Sequence, residues 1–413
     1  MERTKTYQFC NTICALCFVS VSSVTNLFLK RSHHKKHFVL LPFLSVAIPF
    51  PRDVIMKTKN TFSFCLFTFS FLTGCSSSSF FTPEHGYTHP RLVEAEFTIT
   101  IDSIHVLEPD SLKASNIRRG IDSVQLPAFL LWSADIIDHP AQRVKESTFP
   151  STPPMEIITE YENGNRICFW DLSRQLADHV PISIRRKFSY ITYDYVKKID
   201  ELASNSYGCE PEELFYSYTK AEPSLEQTPA LILLADSIVR GEQTLAGKVH
   251  RIFDFVRAKM HYKYPPDARG VLDAVKCYEG DCGQYSALFI GICRCAGIPA
   301  RQQSGLVIES GNFGYHVWSE VYLPATGWVP MDATLPDGFA HLPNNRLIAS
   351  VGMNIPLHNV PSWATYLDQD AQGNRTDFMQ FATMVTSGFT AKISTERKLL
   401  RYEELPGHGA EPK

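Results

Sequence analysis

The sequence predicts an α+β protein in which a β-rich, sandwich-like module precedes a central helix packed on an antiparallel sheet. Three observations support this prediction. Residues Arg91–Val106 alternate apolar and polar side chains, as a half-buried strand does. From Thr228 to Gly297 the chain carries helical apolar stripes together with helix start and stop signals. Three strand-like stretches separated by turn signals follow directly.

The β-rich module is predicted to span residues 91–200. Asn163-Gly164 lies between two strand-like stretches and is a strong signal for a β-hairpin. The stretch KFSYITYDYV, residues 187–196, alternates again. Since no residue of this module indicates chemistry, we interpret it as a spacer or a support.

A second module is predicted over residues 201–340. Thr228-Pro229 supplies an N-cap and a proline at the first helical position, and Gly241 supplies a stop. A second helix follows, with its apolar residues at helical spacing. The third helix begins at or just before Cys282 and is apolar nearly all round, which predicts a buried central helix.

Three strands are predicted after this helix, over Pro299–Glu309, Phe313–Leu323 and Trp328–Ala333. Beyond them the pattern weakens. Residues 341–413 are interpreted as a C-terminal β extension that completes or flanks the second module.

Residues 56–75 resemble a bacterial lipoprotein signal. Two lysines precede the apolar stretch Phe62–Leu72, which is too short to span a bilayer comfortably and ends in Leu-Thr-Gly-Cys. The resemblance implies that Cys75 is lipidated, that residues 76–90 are a tether, and that the protein is exported and anchored to a bacterial membrane, facing the periplasm or the cell surface. An ordinary secretory signal or a short buried segment is the alternative.

Residues 1–55 have an odd composition, with three closely spaced cysteines and the basic run KRSHHKKH. We interpret them as an upstream extension and expect the true start at Met56. The alternative is a membrane-embedded leader around Phe9–Leu29.

The composition is that of an ordinary globular protein. The 413 residues suggest two or three domains, with 44% hydrophobic and 20% charged residues and a formal net charge of −3. No long basic run occurs in the body of the chain, so no nucleic-acid partner is expected. No cofactor is expected either.

Cys282, His316 and Asp332 are the candidate catalytic residues. A cysteine at a helix start gains from the helix dipole and from free backbone N–H groups, which favour a thiolate and can hold an oxyanion. Neighbouring strands can bring His316 and Asp332 together as a base and the group that orients it. Each residue alone is weak evidence, because cysteines in buried helices usually pack.

Four stretches around these residues resemble the transglutaminase-like superfamily of papain-like thiol enzymes. They are Gly-x-Cys at a helix start, AGIPAR, His-x-Trp-x-Glu, and Gly-Trp-x-Pro-x-Asp, all within Thr228–Leu335. The resemblance implies a papain-like fold and a catalytic triad of Cys282, His316 and Asp332. It also implies a protein or peptide substrate.

Four further residues are candidates for supporting roles. Trp318 and Glu320 share the side-chain face of His316 and either support it or only pack. Tyr262 and Tyr264 precede the catalytic loop and are candidates for an additional oxyanion donor.

The cysteines leave two structural alternatives. Zinc is disfavoured because Cys293 and Cys295 point to different sides of a helix and no CxxC pair occurs in this region. A disulfide between Cys277 and Cys282 would block the nucleophile; the close spacing permits it, and the helical setting of Cys282 disfavours it.

Three functions remain open from the sequence. Hydrolysis of an amide, by a peptidase or amidase, is the favoured one. The alternatives are an amine transferase that cross-links protein glutamines, and a non-catalytic binding or scaffold module with the same fold.

Overall fold

The computed structural model describes residues 86–107, 128–200, 206–208, 210–361, 374–380 and 382–406. The predicted upstream extension, lipoprotein signal, lipidated Cys75 and most of the tether lie outside these ranges. Among the described helices, none has both the length and the apolar character needed to cross a membrane.

The strands and helices of the described residues are as follows. The strands are β1 (Gly86–Val106), β2 (Ala128–Asp135), β3 (Gln142–Ser151), β4 (Glu156–Thr159), β5 (Arg166–Asp171), β6 (Ile182–Val196), β7 (His261–Tyr262), β8 (Glu279–Gly280), β9 (Ala300–Glu309), β10 (Asn312–Leu323), β11 (Gly327–Met331), β12 (His341–Leu342), β13 (Arg346–Val351), β14 (Ile355–Pro356), β15 (Arg375–Thr376), β16 (Ala382–Ser387) and β17 (Phe389–Glu404). The helices are α1 (Ser173–Ala177), α2 (Glu212–Thr219), α3 (Pro229–Val239), α4 (Leu245–Lys259), α5 (Val271–Cys277) and α6 (Cys282–Cys295).

Two antiparallel sheets form the predicted β-rich sandwich. One has the order β12-β6-β1-β17, with β3 also paired to β6, and the other has the order β16-β2-β5-β4. They share a core that includes Phe97 on β1, Leu131 on β2 and Trp170 on β5. The alternation predicted for β1 is confirmed, because Val93 and Ile101 are among its fully buried residues.

The hairpin predicted at Asn163-Gly164 connects β4 and β5. Thr159 pairs with Arg166 at its base, and Gly164 has a φ of +76°, a conformation that glycine adopts without strain.

A third sheet, β11-β10-β9-β13, carries the predicted central helix on one face. Helices α3 to α6 pack there, in a core that includes Phe253, Phe289, Val321 and Val329. On its other face, residues such as Leu306 join the core of the sandwich. The predicted arrangement of a buried helix on an antiparallel sheet is therefore confirmed.

The predicted helix starts are found where the capping residues stand. The side chain of Thr228 accepts a hydrogen bond from Leu231 N, and the side chain of Thr244 caps α4 in the same way. Helix α6 begins at Cys282, with Asp281 as its N-cap.

The C-terminal strands divide between the sheets. Strand β13 extends the third sheet by pairing with β9, whereas β16 pairs with β2 and β17 pairs with β1. Both ends of the described chain therefore build the sandwich. The sequence pattern did not indicate these partners, because alternation shows which face of a strand is buried but not which strand lies beside it.

Candidate active site

Helix α6 presents Cys282 as its first residue, next to a buried capping carboxylate. Asp281 is 4% exposed. Its Oδ1 accepts hydrogen bonds from the backbone N–H groups of Gly283 and Gln284 at 3.1 and 3.4 Å, and Arg269 Nη1 lies 2.6 Å from the same oxygen. Asp281 thus binds two of the backbone N–H groups expected to be free at this helix start. The N–H of Cys282 is not one of these two.

The start of α6 is also tied to neighbouring segments. Gln284 Oε1 accepts a hydrogen bond from Gly270 N at 2.8 Å. The hydroxyl of Tyr285 donates to the carbonyl of Met260 at 2.9 Å. These buried contacts hold the backbone around Cys282 in one position.

His316 lies on β10, and Asp332 immediately follows β11. The antiparallel pairing of these strands, in which Ser319 faces Met331, brings the two side chains together. His316 Nε2 lies 2.7 Å from Asp332 Oδ2.

Cys282 lies close enough to His316 for its hydrogen bonding and negative charge to raise the pKa of the imidazole. Since Nε2 is engaged by Asp332, Nδ1 is the ring nitrogen left for the thiol. The structure therefore brings the three predicted residues into one contiguous cluster, with the histidine in the middle.

The protonated form of His316 is stabilised in this setting. Burial acts against the imidazolium, but the hydrogen bonds to Asp332 and Cys282 and their negative charges outweigh it and raise the pKa of His316 to about 9. Burial would likewise raise the pKa of Asp332, which is 1% exposed. Contacts with His316, Arg346 and Thr334 instead lower the pKa of Asp332 to about 2.

Trp318 is fully buried and lies two positions after His316 on β10. Its ring stacks on the imidazole of His316, with centroids 5.8 Å apart and planes inclined by 24°. The indole N–H donates to Gln303 Oε1. Trp318 thus packs and also backs the histidine ring.

Glu320 lies away from the cluster, in a buried ion-pair network. Its Oε2 accepts from Arg301 Nε at 2.8 Å, and its Oε1 lies 3.2 Å from the ring of His139. Burial opposes the charge, but Arg301 and His139 lower the pKa of Glu320 to about 2. Glu320 therefore joins the third sheet to the β2–β3 turn, where His139 lies.

Gln380, from the C-terminal part of the chain, holds the backbone at His316. Its Nε2 donates to the carbonyl of His316 at 2.9 Å and to that of Gly305 at 3.2 Å. This contact fixes β10 at the histidine from a segment outside the third sheet.

Tyr262 lies beside the cysteine, in a two-stranded parallel contact that pairs it with Gly280. It is 63% exposed. Partial burial of its phenol, together with the negative charges of Cys282 and Asp281, raises the pKa of Tyr262 to about 12. Its hydroxyl therefore keeps its proton. Tyr264 is 55% exposed, and its charge also acts on Tyr262.

The described cysteines are free thiols, namely Cys168, Cys277, Cys282, Cys293 and Cys295. In the described ranges no three His, Cys, Asp or Glu side chains are grouped so as to hold a metal ion. Cys277 and Cys282 are therefore not joined in a disulfide.

Several residues of the site were not found from the sequence. Asp281 could have been, because an aspartate directly before an apolar helix is an N-cap signal. Arg346 and Gln380 carry no local signal, since each reaches the site only through long-range packing.

Residues 233–333 match the family described as the transglutaminase-like superfamily. The matched segment contains Cys282, His316 and Asp332. This segment of the chain is similar to a transglutaminase-like domain. Its central helix on an antiparallel sheet has the arrangement of a papain-like core.

The individual proteins that the chain resembles are more distant, and the chain spans only about a quarter of the length of the curated relative. An uncharacterized protein, YebA, of Bacillus subtilis (strain 168) is 25% identical over 207 residues, which cover 44% of this chain and 27% of that relative's length. A structure from Cytophaga hutchinsonii, named provisionally as a cysteine protease, is 14% identical with a TM-score of 0.49, over 78% of this chain and 94% of that one. The periplasmic domain of TgpA from Pseudomonas aeruginosa is 14% identical with a TM-score of 0.30, over 56% and 92% of the two chains.

The raised pKa of His316 predicts a pH-dependent stability. The unfolded imidazole titrates near 6.5, so the stabilisation is fully present below about pH 6.5 and is lost as the pH rises through about 9. We expect the unfolding free energy of the wild type to fall by on the order of 3 kcal/mol across this window. Urea unfolding at several pH values measures it. His316→Gln should remove most of this slope, and an unchanged slope in that variant would contradict the assignment.

Proposed function

We propose that the protein is a thiol enzyme that cleaves an amide bond through an acyl-enzyme thioester. The observation that carries this proposal is the setting of His316, which bonds Asp332 and has a pKa that Asp332 and Cys282 both raise. A nucleophile, a base and a group that orients the base require this connectivity. The transglutaminase-like match over the same residues supports it.

The proposed roles follow from the contacts. The sulfur of Cys282 attacks the amide carbon as a thiolate, paired with the imidazolium of His316. His316 gives its proton to the departing amine, and a thioester remains. Water then attacks the thioester while His316 takes a proton from the water, and the tetrahedral intermediate expels the Cys282 thiolate. The acid leaves, and the thiolate–imidazolium pair is restored. Asp332 keeps the imidazole oriented and stabilises its charge.

The oxyanion of each tetrahedral intermediate needs hydrogen-bond donors. The backbone N–H of Cys282 is the helix-start amide that Asp281 does not occupy. The hydroxyl of Tyr262, which keeps its proton up to high pH and lies beside the cysteine, is the proposed second donor. Tyr264 is its alternative.

Water is the proposed acceptor, which makes the enzyme a peptidase or an amidase. Cys282 is only partly buried, so solvent reaches the thioester. The substrate class proposed is a peptide or a side-chain amide of a protein. Transfer to a lysine amine is the second candidate, because the same thioester reacts with either nucleophile.

The enzyme is proposed to act outside the cytoplasm, on a lipid anchor. This rests on the residues 56–75, whose lysines, apolar stretch and terminal cysteine follow the order of a lipoprotein signal. The anchor is the only proposed contact with the membrane.

Reaction with a thiol-directed probe tests the proposed nucleophile. We expect iodoacetamide at near-neutral pH to modify Cys282, because a thiolate reacts and a thiol does not. Labelling of this site should disappear in Cys282→Ala and weaken in His316→Ala, and mass spectrometry of the labelled peptide measures it. With a cleaved substrate in hand, His316→Ala should lower the rate by about 10²–10⁴-fold.

Cys277→Ser is the matched control for this experiment. Cys277 is a free, exposed thiol five positions earlier in the chain, so its loss should leave the Cys282 label intact. Equal reactivity of Cys282 in the wild type and in His316→Ala would favour the non-catalytic scaffold instead.

The acceptor is tested with glutamine-containing peptides, with and without a fluorescent primary amine. Hydrolysis predicts that free acid forms in both cases and that little amine is incorporated. Mass spectrometry separates the two products. Efficient incorporation of the amine would replace hydrolysis by transfer and leave the thiol mechanism in place.

Lipidation is tested by expressing the full chain in a bacterial host with an alkyne-labelled fatty acid. We expect label on the mature protein and none on Cys75→Ser. Cys65→Ser, which changes a cysteine inside the apolar stretch, is the control. A labelled Cys75→Ser variant would exclude this anchor.

A further inference from the structure

Arg346 is a buried arginine behind the carboxylate of Asp332. It is the first residue of β13 and is 5% exposed. Its Nη2 lies 3.2 Å from Asp332 Oδ2, and its Nη1 donates to Asn345 Oδ1 at 2.8 Å. It lies beyond residues 233–333, the segment that matches the family.

Arg346 shares one oxygen of Asp332 with the imidazole. Oδ2 faces both His316 Nε2 at 2.7 Å and Arg346 Nη2. Oδ1 accepts from the backbone N–H of Thr334 at 3.1 Å and from its hydroxyl at 2.5 Å. A rotation of the carboxylate would break bonds at both oxygens, so these contacts fix the oxygen that His316 uses.

Packing alone does not explain why a charged guanidinium is buried at position 346. Its Nε is buried and has no hydrogen-bond partner among the described residues. An unsatisfied buried donor is unfavourable, and an apolar side chain would fill the same space without that cost. Arg91 Nε and Arg397 Nη1 are also buried without a partner, so what distinguishes Arg346 is its contact with the Asp332 carboxylate.

We propose that Arg346 is a positioning residue that extends the Cys282–His316–Asp332 cluster by a fourth member. It holds the Asp332 carboxylate in the orientation that the imidazole needs and balances its buried charge. This inference rests on the proposed function, since it concerns the same reaction.

Other charged and titratable groups lie close to this pair. Strand β17 contributes Tyr402, on which the charge of Arg346 acts, and strand β1 contributes Arg91, whose guanidinium carbon lies 4.7 Å from the Tyr402 ring centre. His316 reaches Asp332 from β10. Loss of the positive charge of Arg346 makes proton loss harder at Asp332 and at the thiol–imidazole pair.

The test is the pH profile of the alkylation rate of Cys282 by iodoacetamide, in the full chain. In Arg346→Met we expect the acid limb to move to higher pH by about one unit. On that limb the rate at a fixed pH then falls about tenfold. Arg346→Lys, which keeps the charge, should restore most of the wild-type profile. Arg346→Gln keeps a hydrogen-bond donor but loses the charge, so its acid limb should shift as that of Arg346→Met does. If Arg346→Met does not fold, Arg346→Gln takes its place in the test.

Arg397→Met is the matched control. Arg397 stacks over Tyr315, the neighbour of His316, with its guanidinium carbon 4.1 Å from the ring centre, and it makes no contact with Asp332 among the described hydrogen bonds and ion pairs. An unshifted Arg346→Met profile, or an equal shift in Arg397→Met, would overturn the inference. If the wild type lacks a reaction of Cys282 that depends on His316, the proposed function fails, and this inference fails with it.

Discussion

The contact between His316 and Asp332 is the interaction on which the rest of the site depends. A carboxylate that is 1% exposed stays ionised only if charged or hydrogen-bonding partners surround it. His316 at 2.7 Å and Arg346 at 3.2 Å are such partners. The carboxylate in turn favours the imidazolium and directs the second ring nitrogen to Cys282. The pairing of β10 with β11 sets this geometry, because it fixes where each strand delivers its side chain.

Segments far apart in the chain complete the site. The helix start supplies the cysteine and the third sheet supplies the histidine, while Gln380 holds the His316 carbonyl from the C-terminal part. His139, which lies between strands β2 and β3 of the sandwich, contacts Glu320. Glu320 is on β10, four positions after His316. Of the two roles that the sequence left open for the sandwich, a spacer or a support, these contacts favour the support. The sandwich shares a core with the third sheet and bears on the strand that carries the histidine.

Local signals in the sequence were sufficient for the hairpin and for the helices α3, α4 and α6, whereas the shorter helices α1, α2 and α5 were not predicted. The same signals made Cys282, His316 and Asp332 candidates. The side chain of Thr228 caps the helix that begins at Pro229. Cys282 follows Gly280 and Asp281 at the start of an apolar helix, so the adjacent residues set its position. Arg346 and Gln380 were not found, because their roles arise from strand pairing and side-chain contacts across the fold. The strands that pair with β16 and β17 were not predicted for the same reason.

The protonation state of His316 is the most direct test of this account. A titration of the histidine side chains by NMR, with the signal assigned through His316→Gln, measures it in the folded protein. We expect His316 to have a pKa near 9 in the wild type. In Asp332→Asn we expect a marked decrease of that pKa, because the charged partner is lost. A His316 that titrates at the ordinary value of about 6.5 in both proteins would contradict the account.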